Sequence, residues 1–126
     1  MTAAAWSTWV KWNGTIEQTL IDGQHQAAGD ATVADAKKRA AKNGAGGILT
    51  VDTLTDRQLL GRIWVLTGDD LHQHFGSRHP PKKAIEAGQA AFLNGLEEGQ
   101  AVAVIAYGRG VPTAVWFAGQ APAKRA

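Results

Sequence analysis

The residues best equipped for chemistry stand in one polar stretch, Asp69-Asp70-Leu71-His72-Gln73-His74-Phe75, followed by Arg78, His79, Lys82 and Lys83. Imidazole and carboxylate together suit zinc or another first-row metal. A histidine beside an aspartate also suits acid–base work, with His72 or His74 as base and Asp70 as its orienter. Geometry discriminates between these uses. On a strand the two histidines would share a face, whereas helical residues two apart point away from each other. Thr67 and Asp70 have the spacing of a helix cap, and Gly76 supplies a stop, so 68–75 is expected to be helical. No nucleophile motif and no glycine loop joining a strand to a helix accompanies the histidines. Catalytic residues, metal ligands and cofactors are therefore left unassigned, and a small His/Asp enzyme or metalloprotein is the third reading of the chain.

Cations and indoles carry the other two readings. Lys37, Lys38, Arg39 and Lys42 could contact phosphates, but Asp35 lies early in their helix and the cations late, as the macrodipole prefers. Gly108-Arg109-Gly110 lacks the third glycine and following helix of a dinucleotide loop, and reads as a hairpin turn with an exposed arginine. The chain has five tryptophans, three of them early, at Trp6, Trp9 and Trp12. Tryptophan serves cores and interfaces alike. Trp6 and Trp12 are assigned to the core; Trp9, on the same strand face as Lys11, is expected to be partly exposed. Trp9, Lys11, Arg78, Lys82, Lys83 and Arg109 are the candidate partner-binding residues.

Two hairpins are expected to frame these residues. Asn13-Gly14 has the chemistry of a type I′ turn, so 6–12 and 15–21 read as paired strands. Trp6, Val10 and Trp12 then share one face, and Trp9, Lys11, Ile16 and Leu20 the other. Residues 22–30 read as a loop and 31–43 as a helix capped by Asp30 or Thr32. Residues 48–51 are a candidate fifth strand. Thr55-Asp56-Arg57-Gln58 opens an expected helix through Trp64, although 63–66 fits a short buried strand equally well. Pro80-Pro81 opens a helix over 81–96. The second hairpin covers 101–107 and 112–118, with Val102, Val104, Val115 and Phe117 on one face and Ile105, Tyr107 and Trp116 on the other. Apart from Arg109 it carries no charge, so both faces must be covered, by the chain's own helices or by another subunit.

Length and composition bound the class. A chain of 126 residues, 44% hydrophobic and 19% charged, is the size and composition of one globular domain, with 119–126 expected as a frayed tail. There is no cysteine, which excludes disulfides and thiolate chemistry and fits a cytoplasmic location. No apolar stretch approaches the roughly 18 residues of a membrane span, and the start lacks a signal-peptide pattern. The formal charge of +2 is too small and too scattered for a dedicated DNA-binding stripe. The expected fold is α+β, an antiparallel sheet from N- and C-terminal β-hairpins packed with two to four helices. The expected function is a non-enzymatic interaction module, an accessory or regulatory protein that binds another protein and self-associates through its apolar hairpin. A nucleic-acid-binding module using the same tryptophan, lysine and arginine contacts is the second reading.

Overall fold

The computed structural model describes residues 5–43, 48, 54–55, 63–96 and 100–120. Among them the chain runs β1 (Ala5–Lys11), α1 (Ile16–Ala28), α2 (Val33–Asn43), β2 (Leu54–Thr55), β3 (Ile63–Val65), α3 (Gly68–Phe75), α4 (Lys82–Asn94), β4 (Ala101–Gly108) and β5 (Val111–Gln120). The strands form one sheet in the order β1-β5-β4-β3-β2. β1 and β4 flank β5 antiparallel, while β3 lies parallel to β4 and β2 parallel to β3. The fold is α+β, with strands at both ends of the chain and helices between them. No described helix is long and apolar enough to cross a membrane.

The N-terminal hairpin is corrected. Its first arm is β1, but residues 15–21 are helical, and so is most of the expected loop over 22–30. Asn13-Gly14 does turn the chain, with Gly14 at φ 81°, yet antiparallel pairing stops at the single bridge from Asn13 to Thr15. Thr15 then caps α1, its hydroxyl accepting from the Gln18 N–H at 3.1 Å. The Thr19 hydroxyl accepts from the Asn13 N–H at 3.0 Å and donates to the Thr15 carbonyl at 2.7 Å. Cap and helix satisfy the backbone groups that a hairpin would have used, and β1 pairs instead with β5 more than a hundred residues on. Ile16 and Leu20 consequently pack with Val10 rather than with Trp9.

Other elements follow their local signals. Thr32 caps α2 by accepting from the Asp35 N–H at 3.2 Å. Thr67 and Asp70 form a reciprocal capping box on α3, and Gly76 closes it in the left-handed conformation. Residues 63–65 are strand, not the end of a helix: Ile63 pairs with Ala101 in the sheet interior and is fully buried. Thr55, the expected cap of that helix, belongs to β2; the span 56–62 lies outside the described residues. Of the candidate fifth strand at 48–51, only Ile48 is described. It is buried in the core beneath α1 and stands in a helical turn rather than a strand.

The C-terminal hairpin is the spine of the sheet. Its strands extend further than expected, because Gly119 and Gln120 belong to β5 instead of a frayed tail. The Gln120 N–H donates to the Gln100 carbonyl at 2.9 Å, and its side-chain amide donates to the Leu93 carbonyl at 2.8 Å. The expected faces need one correction. Val104 stands opposite Trp116 and Val102 opposite Ala118, whereas Ala103 faces Phe117 and Ile105 faces Val115. Val102 and Val104 therefore share the Trp116 face, and Ile105 joins Val115 and Phe117. A register shift between Ala106 and Tyr107 returns Tyr107 to the Trp116 side, as a bulge does by breaking strict alternation.

Both faces are covered by the chain itself. On one, Val10, Leu20, Ile48, Ile63, Val115 and Phe117 form a core under α1. On the other, Leu66, Leu71, Ile85, Leu96, Val104 and Trp116 form a core under α3 and α4. Self-association through the hairpin faces thus loses its motive. α1 packs closely at Gly23, where a Cβ would come within 2.6 Å of Ile48 Cδ1 and 2.8 Å of Val10 Cγ2 on β1. Gly23→Ala is expected to destabilise the fold by about 1–3 kcal/mol through overpacking, despite alanine's better helix propensity. A urea midpoint equal to or above that of the unaltered chain would contradict this packing.

Candidate interaction surface

Strand pairing builds the surface first. Trp9 on β1 stands directly beside Trp116 on β5, so two indoles lie together on the face that α4 crosses. Trp116 is fully buried and Trp9 half-buried. An indole N–H can only donate, and two such donors aimed at one helix require an acceptor. The Gln89 side-chain amide of α4 lies 3.1 Å from Trp116 Nε1 and 3.2 Å from Trp9 Nε1, and because both indoles can only donate, its oxygen is assigned to that side as their shared acceptor.

Seven residues earlier on the same helical stripe, the Lys82 ammonium lies 4.9 Å from the centre of a Trp9 ring. A cation over an indole face gains about 0.5–1 kcal/mol at an exposed site. The segment before α4 is fixed to the end of β4, since the Tyr107 N–H donates to the Pro80 carbonyl at 2.8 Å. The His79 ring stands edge-on to Tyr107 at 4.7 Å. Lys82 and Lys83 are thereby held at the hairpin end of the sheet.

Lys11 and Arg109 belong to the same end. Lys11 pairs with Ala114, which pairs with Ala106, one residue before Tyr107. Arg109 is at the hairpin tip with φ 52°, the one non-glycine residue at positive φ among those described. With Gly110 at φ 80° this is the I′ geometry that favours asparagine, aspartate or glycine at the first position. Holding arginine there costs about 1–2 kcal/mol. Lys11, Lys82, Lys83 and Arg109 are all exposed.

Helix electrostatics oppose this arrangement. The N-cap of α4 is Pro81, with no side-chain cap, and its first turn holds no acid but does hold both lysines. Cations at a helix N-terminus meet the positive end of the macrodipole, at a cost of about 0.3–1 kcal/mol each. Glu86 follows these lysines by four and three residues on α4, at the spacing of helical neighbours, and no ion pair joins them among the described residues; Glu17 and Asp22 are on α1, across the sheet.

Of the six residues expected to form a binding surface, five share this end of the sheet. Arg78 does not join them: it pairs with Asp69 in the first turn of α3. There its guanidinium covers Gly68, where a Cβ would meet Nη2 at 3.0 Å. The histidines make no dyad with Asp70, whose carboxylate accepts from the Thr67 N–H at 3.0 Å and from the Thr67 hydroxyl at 3.0 Å. His74 turns instead to aromatic neighbours, edge-on to Phe92 at 4.9 Å and to Trp64 at 6.1 Å. No group of three or more metal-binding side chains occurs among the described residues. Gln89 and Tyr107 were not anticipated here, and His79 was singled out only with the His/Asp stretch. Only the 82–85–89–92 stripe could have shown that Gln89 would face the sheet.

Comparison of the chain with protein-family models, with curated proteins and with solved structures gives no match.

Gln89→Leu removes the shared acceptor and leaves the buried Trp116 N–H without it. The expected cost is about 1–3 kcal/mol, read as a lower urea midpoint, with Gln89→Glu, which keeps an acceptor, less affected. Equal stability of the leucine variant and the unaltered chain would count against the bridge.

Proposed function

We propose that this chain is a non-enzymatic interaction module, an accessory or regulatory protein of the cytoplasm, whose hairpin end takes an acidic surface of a partner protein. One observation supports this above the rest: Lys82 and Lys83 occupy an uncapped helix N-terminus against the macrodipole, with Lys82 braced on Trp9. Charges that raise the energy of their own helix are best explained by a counter-charge outside it. Lys11 and Arg109 extend the positive end to the neighbouring strand and the hairpin tip.

The nucleic-acid reading draws less support from the same geometry. A stacking platform needs a free aromatic face, and Trp9 has its N–H on Gln89 and a face under Lys82. Arg78, one of the cations that reading used, is paired with Asp69.

A labelled poly-glutamate peptide and a DNA oligonucleotide of equal charge, compared by fluorescence anisotropy at low and physiological salt, test the proposal. The peptide is expected to bind at least as tightly as the DNA. Joint Lys82→Glu and Lys83→Glu substitution should weaken it about tenfold or more, on the order of 1.4 kcal/mol, while Arg78→Ala leaves it unchanged. Stronger DNA binding with a steep salt dependence, or indifference to the lysine reversals, would overturn the proposal.

A further inference from the structure

Among the described residues the sheet has two edges, β1 and β2. Of the β2 edge, Leu54 and Thr55 are described. β1 contributes seven residues, in unbroken register with β5. Ala5 to Val10 contains no charge, proline or glycine. Among the described residues only β5 pairs with this strand, so its other side offers a row of backbone donors and acceptors, and residues 5–10 hold no charge or proline to guard against pairing.

The parity of that row is fixed by a bond at its end. The Trp12 N–H donates to the Thr113 carbonyl at 3.0 Å, continuing the β1–β5 register. In an antiparallel ladder, alternate residues direct both backbone groups to the same neighbour. Trp6, Thr8 and Val10 therefore face β5, and Ala5, Ser7, Trp9 and Lys11 face outward.

We propose that this edge pairs antiparallel with the same edge of a second copy, about a two-fold axis at Thr8. In that register Ser7 meets Trp9 and Ala5 meets Lys11 of the other copy. All four outward residues on each strand then find outward partners, two bonds to a pair. The strand's one charge is accommodated: each Lys11 stands opposite an alanine, and the two lysines lie roughly 20 Å apart, six residue steps along the strand. Trp6 comes beside Val10 of the other copy, and Ser7 beside Trp9. The half-buried indoles of β1 thus gain cover from the joint. A two-fold contact consumes both long edges and closes the assembly. The sheet becomes continuous through the dimer, and the two basic hairpin ends point in opposite directions along it. The inference is independent of the acidic-partner proposal.

Sedimentation velocity of the unaltered chain at about 100 µM is expected to give twice the 13.3 kDa chain mass. Ser7→Pro deletes one outward N–H at an edge position that tolerates proline, and should return the mass to one chain. Because that variant could also fail to fold, a second measurement stands beside it. Directly opposed residues at a non-hydrogen-bonded position lie about 4.5 Å apart between Cα atoms, within disulfide reach. In this cysteine-free chain, Thr8→Cys should cross-link to dimer under mild oxidation, and Ser7→Cys, offset across the joint, should not. A single-chain mass for the unaltered protein overturns the proposal, as does equal cross-linking of the two cysteine variants. An edge that remains monomeric but captures an extended peptide of another sequence overturns it in favour of a different occupant. Reversing Lys82 and Lys83 should leave the mass unchanged, which separates this test from the binding assay.

Discussion

A β-hairpin without a charged residue on either face has to be buried twice, and the architecture is organised by that demand. β4 and β5 contain the fully buried Val102, Val104, Val115, Trp116 and Phe117, with valines and aromatics on both sides of the sheet. Hydrophobic burial of this kind contributes about 1.5–3 kcal/mol for each large side chain, so one layer of helices would forfeit half of it. The connectivity supplies two layers. The chain between β1 and β2 carries α1 over one face, and the chain between β3 and β4 carries α3 and α4 over the other.

Burying Trp116 raises a second requirement. Its ring contributes apolar area, but its N–H must find an acceptor once water is gone. Gln89 meets it, and the half-buried Trp9 shares the same oxygen. One amide thus ties an edge strand, an inner strand and a helix together. The ammonium of Lys82 over Trp9 and the Gln89 amide beside the two indoles lie on one face of α4, seven residues apart. Core packing and surface charge are joined through one helical stripe.

The sequence was most legible where a local rule acts alone. The α3 capping box, the α2 cap at Thr32 and the 108–111 turn stand where their motifs indicate, since each is satisfied within a few residues. It misled where two local rules competed. Asn13-Gly14 favours a hairpin, while Thr15-Ile16-Glu17-Gln18 has the spacing of a helix cap, and β5, a distant strand, decided the outcome by taking β1 as its partner. The faces of β4 were misjudged for a related reason, because register was counted without the shift at Tyr107. At the basic end, residue types were readable and proximity was not. Lys82 comes to Trp9 only through the docking of α4, and Arg78 is withdrawn by Asp69, nine residues before it. Gln89 carries no chemical signal of its own, and only its place on the 82–85–89–92 stripe points it at the sheet.

The two charged helices show why the basic end merits a functional reading. In α2, Asp35 comes first and the lysines follow, so its charges already stabilise the helix that bears them. In α4 the order is reversed: two lysines open the helix without an acid or a side-chain cap. The Lys82–Trp9 contact offsets about 0.5–1 kcal/mol of that for one lysine, whereas Lys83 and the left-handed Arg109 make no ion pair or ring contact among the described residues. Local rules broken together at one end of a domain are expected where function rather than folding has set the residues. The same comparison separates the two surfaces. Charge is concentrated at the end of the sheet and missing from residues 5–10 along its edge. An anionic partner suits the first, and a strand identical to β1 suits the second.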